Sequence, residues 1–162
     1  RMGMYSALPL LGGAIGGAAG GFLNDFLIRR TGNLKWSRRA VGLAGKGIAG
    51  CLLAVSMLWY DDPQTFCLML FAVKFFSDWS LTTTWGAVTD IGGRTTATVF
   101  AFNNTVATLG AVAAPALYGN VAEHRGWDAV FYVGAAAYIV CAVSWLGFDS
   151  TIPVISEEQP SE

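Results

Sequence analysis

Lys74, Asp78 and Trp85 interrupt an apolar run between Thr65 and Val88, and at 3.6 residues per turn they fall on one stripe of a helix. A second run, Thr95 to Val121, places Asn104, Thr108 and Pro115 on a stripe in the same way. Ionisable groups inside an apolar helix are expensive and normally face a partner or a water-filled cavity, so these stripes are the candidate lining of a cavity. Two readings stand for the charges. Lys74 and Asp78 are i,i+4 neighbours that either line a cavity or neutralise one another as a structural pair. Asn104 likewise has a plain alternative, an interhelical hydrogen bond worth roughly 0.6 to 2 kcal/mol. Asn103 points about 100° away on the same helix and is the weaker candidate.

The elements that must position these residues are set by composition and run length. Of the 162 residues 54% are hydrophobic and 13% charged, with a mean hydropathy of +0.48, which excludes a solvated linker. Apolar runs recur along the chain, each long enough to cross a hydrocarbon core at about 20 residues, and they are bounded by charge or by turns such as "DDP" and "DIGGR". The runs are apolar nearly all round, where a soluble bundle needs a polar face on each helix. The expected fold class is therefore an all-α integral membrane protein with five transmembrane helices, at about 2–28, 40–60, 64–89, 94–121 and 127–148. These form one domain over 1–148, followed by a tail, 149–162, expected to be disordered.

The first span holds "LLGGAIGGAAGGFLNDFLIRR", dense in glycine. In lipid the backbone keeps its hydrogen bonds internal, so helix survives and glycine offers close approach instead. Gly12, Gly16 and Gly20 form one small-residue ridge, and Gly13, Gly17 and Gly21 a second beside it, suited to packing on two neighbouring sides. "GKGIAG" satisfies G-x-G-x-x-G at Gly45, Gly47 and Gly50, but no strand precedes it and glycine follows Lys46 where a phosphate loop has Ser or Thr. Lys46 is expected near one end of the second span, snorkelling toward the interface.

Arg29, Arg30, Lys35, Arg38 and Arg39 crowd the first connection, which the positive-inside rule places in the cytoplasm. "YDDPQ" and "NVAEHRGWD" then fall outside, while "DIGGR" and the C-terminus are cytoplasmic. A net charge of -1 offers no basic nucleic-acid patch, so no nucleic-acid partner is expected. Cys51, Cys67 and Cys141 lie inside spans and read as packing residues, and His124 sits in a short connection between Glu123 and Arg125. No metal or cofactor is expected. No nucleophile, base and orienter stand together, so the chain is not read as an enzyme.

The stretch "GGFLNDFLIRRTGNLKWSRR" resembles the loop motif of the major facilitator superfamily, G-x-x-x-D-x-x-x-[RK]-[RK]-x-G followed by further basic residues. The matching positions are Gly21, Asp25, Arg29, Arg30 and Gly32, with Arg38 and Arg39 after them. "SDWSLTTTWGAVTDIGGRTTATVFAFNNTVATLGAVAAP" is similar to the tenth and eleventh helices of its anion:cation symporter family, at Trp85, Asp90, Arg94, Asn104, Leu109, Gly110 and Pro115. Thr108 stands where a second Asn is usual, and alanines replace several of the family's glycines.

The resemblance implies the eighth to twelfth helices of a twelve-helix fold. With Arg1 as first residue and no signal peptide, the chain is expected to be cut from something longer. It implies a fragment of a secondary active transporter for a small organic anion, a sugar acid such as a hexuronate, glucarate or galactonate. Transport would be proton- or sodium-coupled symport by alternating access, in the inner (plasma) membrane, with the C-terminus cytoplasmic. The implied partners are the anion, a coupling cation, the lipid bilayer and the missing N-terminal half, where the coupling residues lie. Asn104 would contact substrate in the central cavity and Trp85 would supply a stacking wall. The loop motif of Gly21, Asp25, Arg29, Arg30, Arg38 and Arg39 would lock the cytoplasmic side through charge contacts of its Asp and Arg side chains, although the basic residues could fix orientation alone. The alternatives are a drug or metabolite exporter of the same superfamily, and a non-transporting packing module or gene remnant.

Overall fold

The computed structural model describes residues 2–155, and side-chain environments from residue 7 onward. The chain forms α1 (Met2–Thr31), α2 (Leu34–Ser56), a 3-10 turn (Met57–Trp59), α3 (Pro63–Gly92), a second 3-10 turn (Gly93–Thr95), α4 (Thr96–Arg125) and α5 (Trp127–Gly147). Among the described residues there is no strand. Residues 156–162 of the expected tail lie outside the described residues.

Local chemistry sets the boundaries. At the end of α1, Gly32 takes a φ of 63° and its N–H reaches the Ile28 carbonyl at 2.9 Å, a left-handed closure open to glycine without strain. Asn33 then caps α2, its side-chain oxygen accepting from the Trp36 N–H at 3.1 Å. This cap starts α2 six residues earlier than the expected 40, because the basic residues Lys35, Arg38 and Arg39 are carried on the first turns of the helix and not in a loop. Asp62 caps α3 with Pro63 as the first helical residue, and its carboxyl is held below the usual range by the Thr65 hydroxyl and the Gln64 N–H.

Four helical stretches are long and apolar enough to cross a membrane: Ala7–Thr31, Leu34–Trp59, Pro63–Arg125 and Trp127–Gly147. The third joins α3 and α4 through the 3-10 turn. Its 63 residues would extend about 95 Å as a single straight helix, far beyond a hydrocarbon core of about 30 Å. The chain instead folds back there, with Gly93 at φ 46°, and brings the Trp85 and Phe100 rings to 6.2 Å across the hairpin.

α3 is the central helix, packed on α1 and on α2, while α2 also packs on α5. The first glycine ridge faces α3: a Cβ on Gly12, Gly16 or Gly20 would overlap the backbone of Phe71, Phe75 or Trp79. The second ridge meets α3 at Gly13, thins at Gly17 and is open at Gly21. Ala49, Leu53, Val73 and Ala135 form the apolar core, with Phe76, Phe131 and Tyr138 around it. The buried hydroxyls of Ser56, Ser80 and Thr83 return to carbonyls of their own helices, as Ser80 does to that of Ser77. Large side chains such as Phe22, Phe102, Val112 and Val140 face outward. Small residues inside and large apolar ones outside is how helices associate in lipid. α4 touches α3 and α5 lightly and buries none of its residues.

Beyond α5, residues 148–155 lie along the end of the bundle where α2 begins and α3 stops. Arg39 Nε donates to the Phe148 carbonyl at 2.6 Å, Lys35 pairs with Asp149, Ser150 is buried, and the Val154 N–H reaches the Ile91 carbonyl at 2.9 Å. Hydrogen bonding from Lys35, then from the Thr151 hydroxyl and N–H, holds the Asp149 carboxyl well below the usual carboxylate range. A depressed pKa adds stability above the unfolded value, and that stability is lost as pH falls through the folded one. The segment is expected to stay docked at neutral pH and to loosen only below about pH 4. Asp149→Asn should free it at pH 7. Amide exchange at Val154 reads both effects, and an unchanged rate in Asp149→Asn would count against the tether.

Candidate functional site

On α3, Lys74 Nζ donates to both carboxylate oxygens of Asp78, at 2.8 and 3.0 Å. α1 closes over the pair at Gly13, where a Cβ would press on Asp78. The carboxylate side chain is 14% exposed and the lysine 41%, so the pair is enclosed on its acidic side and open on its basic side. An ammonium held this way can accept a second anion without being stranded when empty.

The other nominated residues lie elsewhere. Trp85 is half exposed beside Phe100. Asn104 and Thr108 are exposed on α4, and the Thr108 hydroxyl donates to the Asn104 carbonyl at 2.8 Å, a bond within one helix. Among the described residues no hydrogen bond or ion pair joins Asn104 or Thr108 to Lys74, Asp78 or Trp85. Asn103 instead lines a cavity of about 640 Å³ between α3, α4 and α5, together with Thr84, Phe102, Ser144 and Trp145.

The basic motif divides in two. Asp25, Arg29 and Arg30 are exposed at the end of α1, with Arg30 over the Phe26 ring at 5.9 Å, and Gly21 borders open space. The α2 residues are engaged. Arg38 Nε and a terminal nitrogen both reach Asp90 Oδ2, at 3.0 and 2.9 Å, with side chains only 11% and 22% exposed. The guanidinium lies against α3 at Gly86, where a Cβ would collide with it. Arg39 stacks on the Trp36 ring at 5.4 Å while it holds the Phe148 carbonyl. An ion pair at one end of the bundle therefore ties the start of α2 to the end of α3, and the segment after α5 is fastened beside it.

Two residues carry more than their sequence context indicates. Asp90 belongs to the quoted motif, but only its place one turn before the Gly92–Gly93 break marks it as a partner for Arg38. Lys46 is not near a helix end. Because α2 starts at Leu34, Lys46 lies at mid-helix and turns inward, donating to Ser77 Oγ at 3.0 Å and sitting 5.1 Å from the Tyr138 ring centroid. Among the described residues no group of three or more His, Cys, Asp or Glu could hold a metal ion, and Cys51, Cys67 and Cys141 are free thiols.

No family model matches the chain. Curated relatives match it nearly end to end. The probable sulfoacetate transporter of Cupriavidus necator is 27% identical over 164 residues, covering 100% of this chain and 37% of that protein. The D-galactonate transporter of Escherichia coli is 27% identical over 86% of this chain and 32% of its own length. The probable galactarate/D-glucarate transporter of Bacillus subtilis is 28% identical over 89% and 31%. The chain spans about a third of the length of these relatives and corresponds to their C-terminal part. The apolar helices and this match together describe a multi-pass membrane protein. In sequence the chain is a relative of the major facilitator-type transporters of small organic anions and sugar acids.

Proposed function

We infer that the chain is part of a secondary active transporter that carries a small organic anion, a sugar acid such as a glucarate or galactonate, with protons or sodium as the coupling ion. The observation that carries the reading is the match along nearly the whole chain to proteins named as anion transporters. In this reading α1 to α5 each cross the inner membrane, the end bearing Arg38 and Asp90 faces the cytoplasm as the positive-inside rule requires, and the C-terminus lies on that side. Alternating access follows from rocking of two helical halves about a midplane site. The Lys74–Asp78 pair supplies the cation for substrate, Asn104, Thr108 and Trp85 line the path, and the Arg38–Asp90 pair closes the cytoplasmic side. α4 supports the need for a further wall: its outward faces, with Asn104 and Thr108, have no partner within the described residues.

The test is uptake of labelled galactonate and glucarate by the complete transporter that contains this segment, against neutral sugars and cationic drugs. Saturable uptake of the acids alone is expected, with Asp78→Asn reducing it at least about tenfold as Lys74 loses its counter-charge. Uptake of drugs and not acids would replace this reading with an exporter. Reading the coding DNA upstream of Arg1 is the companion measurement, with about seven further apolar spans expected in frame.

A further inference from the structure

We propose that Lys46 anchors a second anion site, separate from the Lys74–Asp78 pair, which takes a small monocarboxylate with an apolar body. A cavity of about 460 Å³ lies between α2, α4 and α5, lined by Lys46, Leu53, Tyr118, Phe131, Tyr138 and Cys141 among others. That volume falls within the ordinary range for small-molecule sites.

The ammonium carries three N–H donors. One is given to Ser77 Oγ, and the Tyr138 ring face covers another side. Among the described residues Lys46 makes no ion pair. Asp78, the residue after Ser77, attracts Lys46 through space, but its hydrogen bonds go to Lys74, and none runs to Lys46 among the described residues. A cation at the middle of an apolar helix, half-buried and in direct contact only with a hydroxyl and a ring, gains from an anion placed directly on it. Charge complementarity therefore selects an anion.

The rest of the wall selects its body. Beyond Lys46, the two tyrosines and Cys141, the lining is aliphatic or aromatic: Leu53, Val130, Phe131, Gly134 and Ala137. A polyhydroxy acid would leave most of its hydroxyls without partners there, whereas an aryl or branched alkyl group is matched. The carboxylate would meet the free side of Lys46, and the ring would lie against Phe131 and Tyr138. This site does not rest on the transport reading. It is built by α2, α4 and α5 and does not use Lys74, Asp78, Trp85 or Asn104.

The probe is 2-naphthoate, added to the full 162-residue chain in lipid nanodiscs, with uncharged 2-naphthamide as its control. The chain has three lysines, Lys35, Lys46 and Lys74, so lysine-selective 13C labelling gives three side-chain signals. Saturable movement of the Lys46 signal with naphthoate and not with naphthamide is expected. Lys46→Gln, which keeps a donor for Ser77, should weaken binding at least about tenfold, and Lys46→Arg should retain it. Equal response to the amide, no movement of the Lys46 signal, or loss of binding in Lys74→Gln with Lys46→Gln unaffected would each overturn the site. The labelled wild-type chain decides the matter by itself if the glutamine variant does not fold.

Discussion

Gly16→Leu is expected to part α1 from α3 and to cost the folded chain at least about 3 kcal/mol, the upper end of what extra core volume costs where neighbours can adjust. Here they cannot adjust freely. A Cβ at position 16 would overlap the carbonyl and Cα of Phe75, which are main-chain atoms fixed by α3, and Gly12 and Gly20 repeat the contact one turn to either side. Circular dichroism through a detergent unfolding titration gives the shift in stability. Gly21→Leu is the control, since nothing lies within 4 Å of a Cβ there, and it should unfold with the unaltered chain. A Gly16→Leu chain as stable as the original would mean that α1 and α3 do not approach in this way.

Arg38→Ala is the second large effect. It removes a guanidinium that places two nitrogens on Asp90 Oδ2 and leaves a carboxylate, 22% exposed, without its cation. The pair is only partly buried, between an exposed pair worth up to about 1 kcal/mol and a buried one whose breaking costs about 3–5 kcal/mol, so a loss of about 2 kcal/mol is expected. Arg38→Lys should recover only part of it, because an ammonium is a point donor where the guanidinium spans two contacts. Gly86→Ala should mimic the loss by pushing the guanidinium off α3, and Asp90→Arg in an Arg38→Asp background should restore part of the stability. The same unfolding titration measures all four variants. Equal stability of Arg38→Ala and the original chain would reduce the pair to a surface contact.

Helices and their approximate ends were legible because run length and charge placement mark them. Asp62-Pro63 is punctuation that a short window reveals. The Lys74–Asp78 pair was legible for the same reason: its four-residue spacing lies within one helix, and the structure joins the two side chains directly. What periodicity leaves open is which helix lies beside which. Arg38 meets Asp90 across 52 residues, and nothing near either residue names the other. The two glycine ridges were equivalent by spacing, yet only Gly12, Gly16 and Gly20 are closed by α3 along their length, since a helix neighbour covers one face. Lys46 was misplaced toward a helix end because its six-residue displacement came from a cap, Asn33, hidden inside a basic cluster. Asn104 and Thr108 share a stripe, but α4 buries no residue, so their stripe has no counterpart among the described residues.

The close fit of α1 on α3 also has a consequence for how the chain is made. Gly20 and the Trp79 backbone it needs are about sixty residues apart, so α1 leaves the ribosome long before its partner exists. At roughly 5–20 residues per second, the glycine face waits on the order of 3–12 s in the membrane before α3 follows. Small-residue faces bind other helices readily in lipid. Chain order thus opens an interval in which α1 is free to take a wrong helix. Slower translation of α3 should lengthen it, with more mispaired chain as the result.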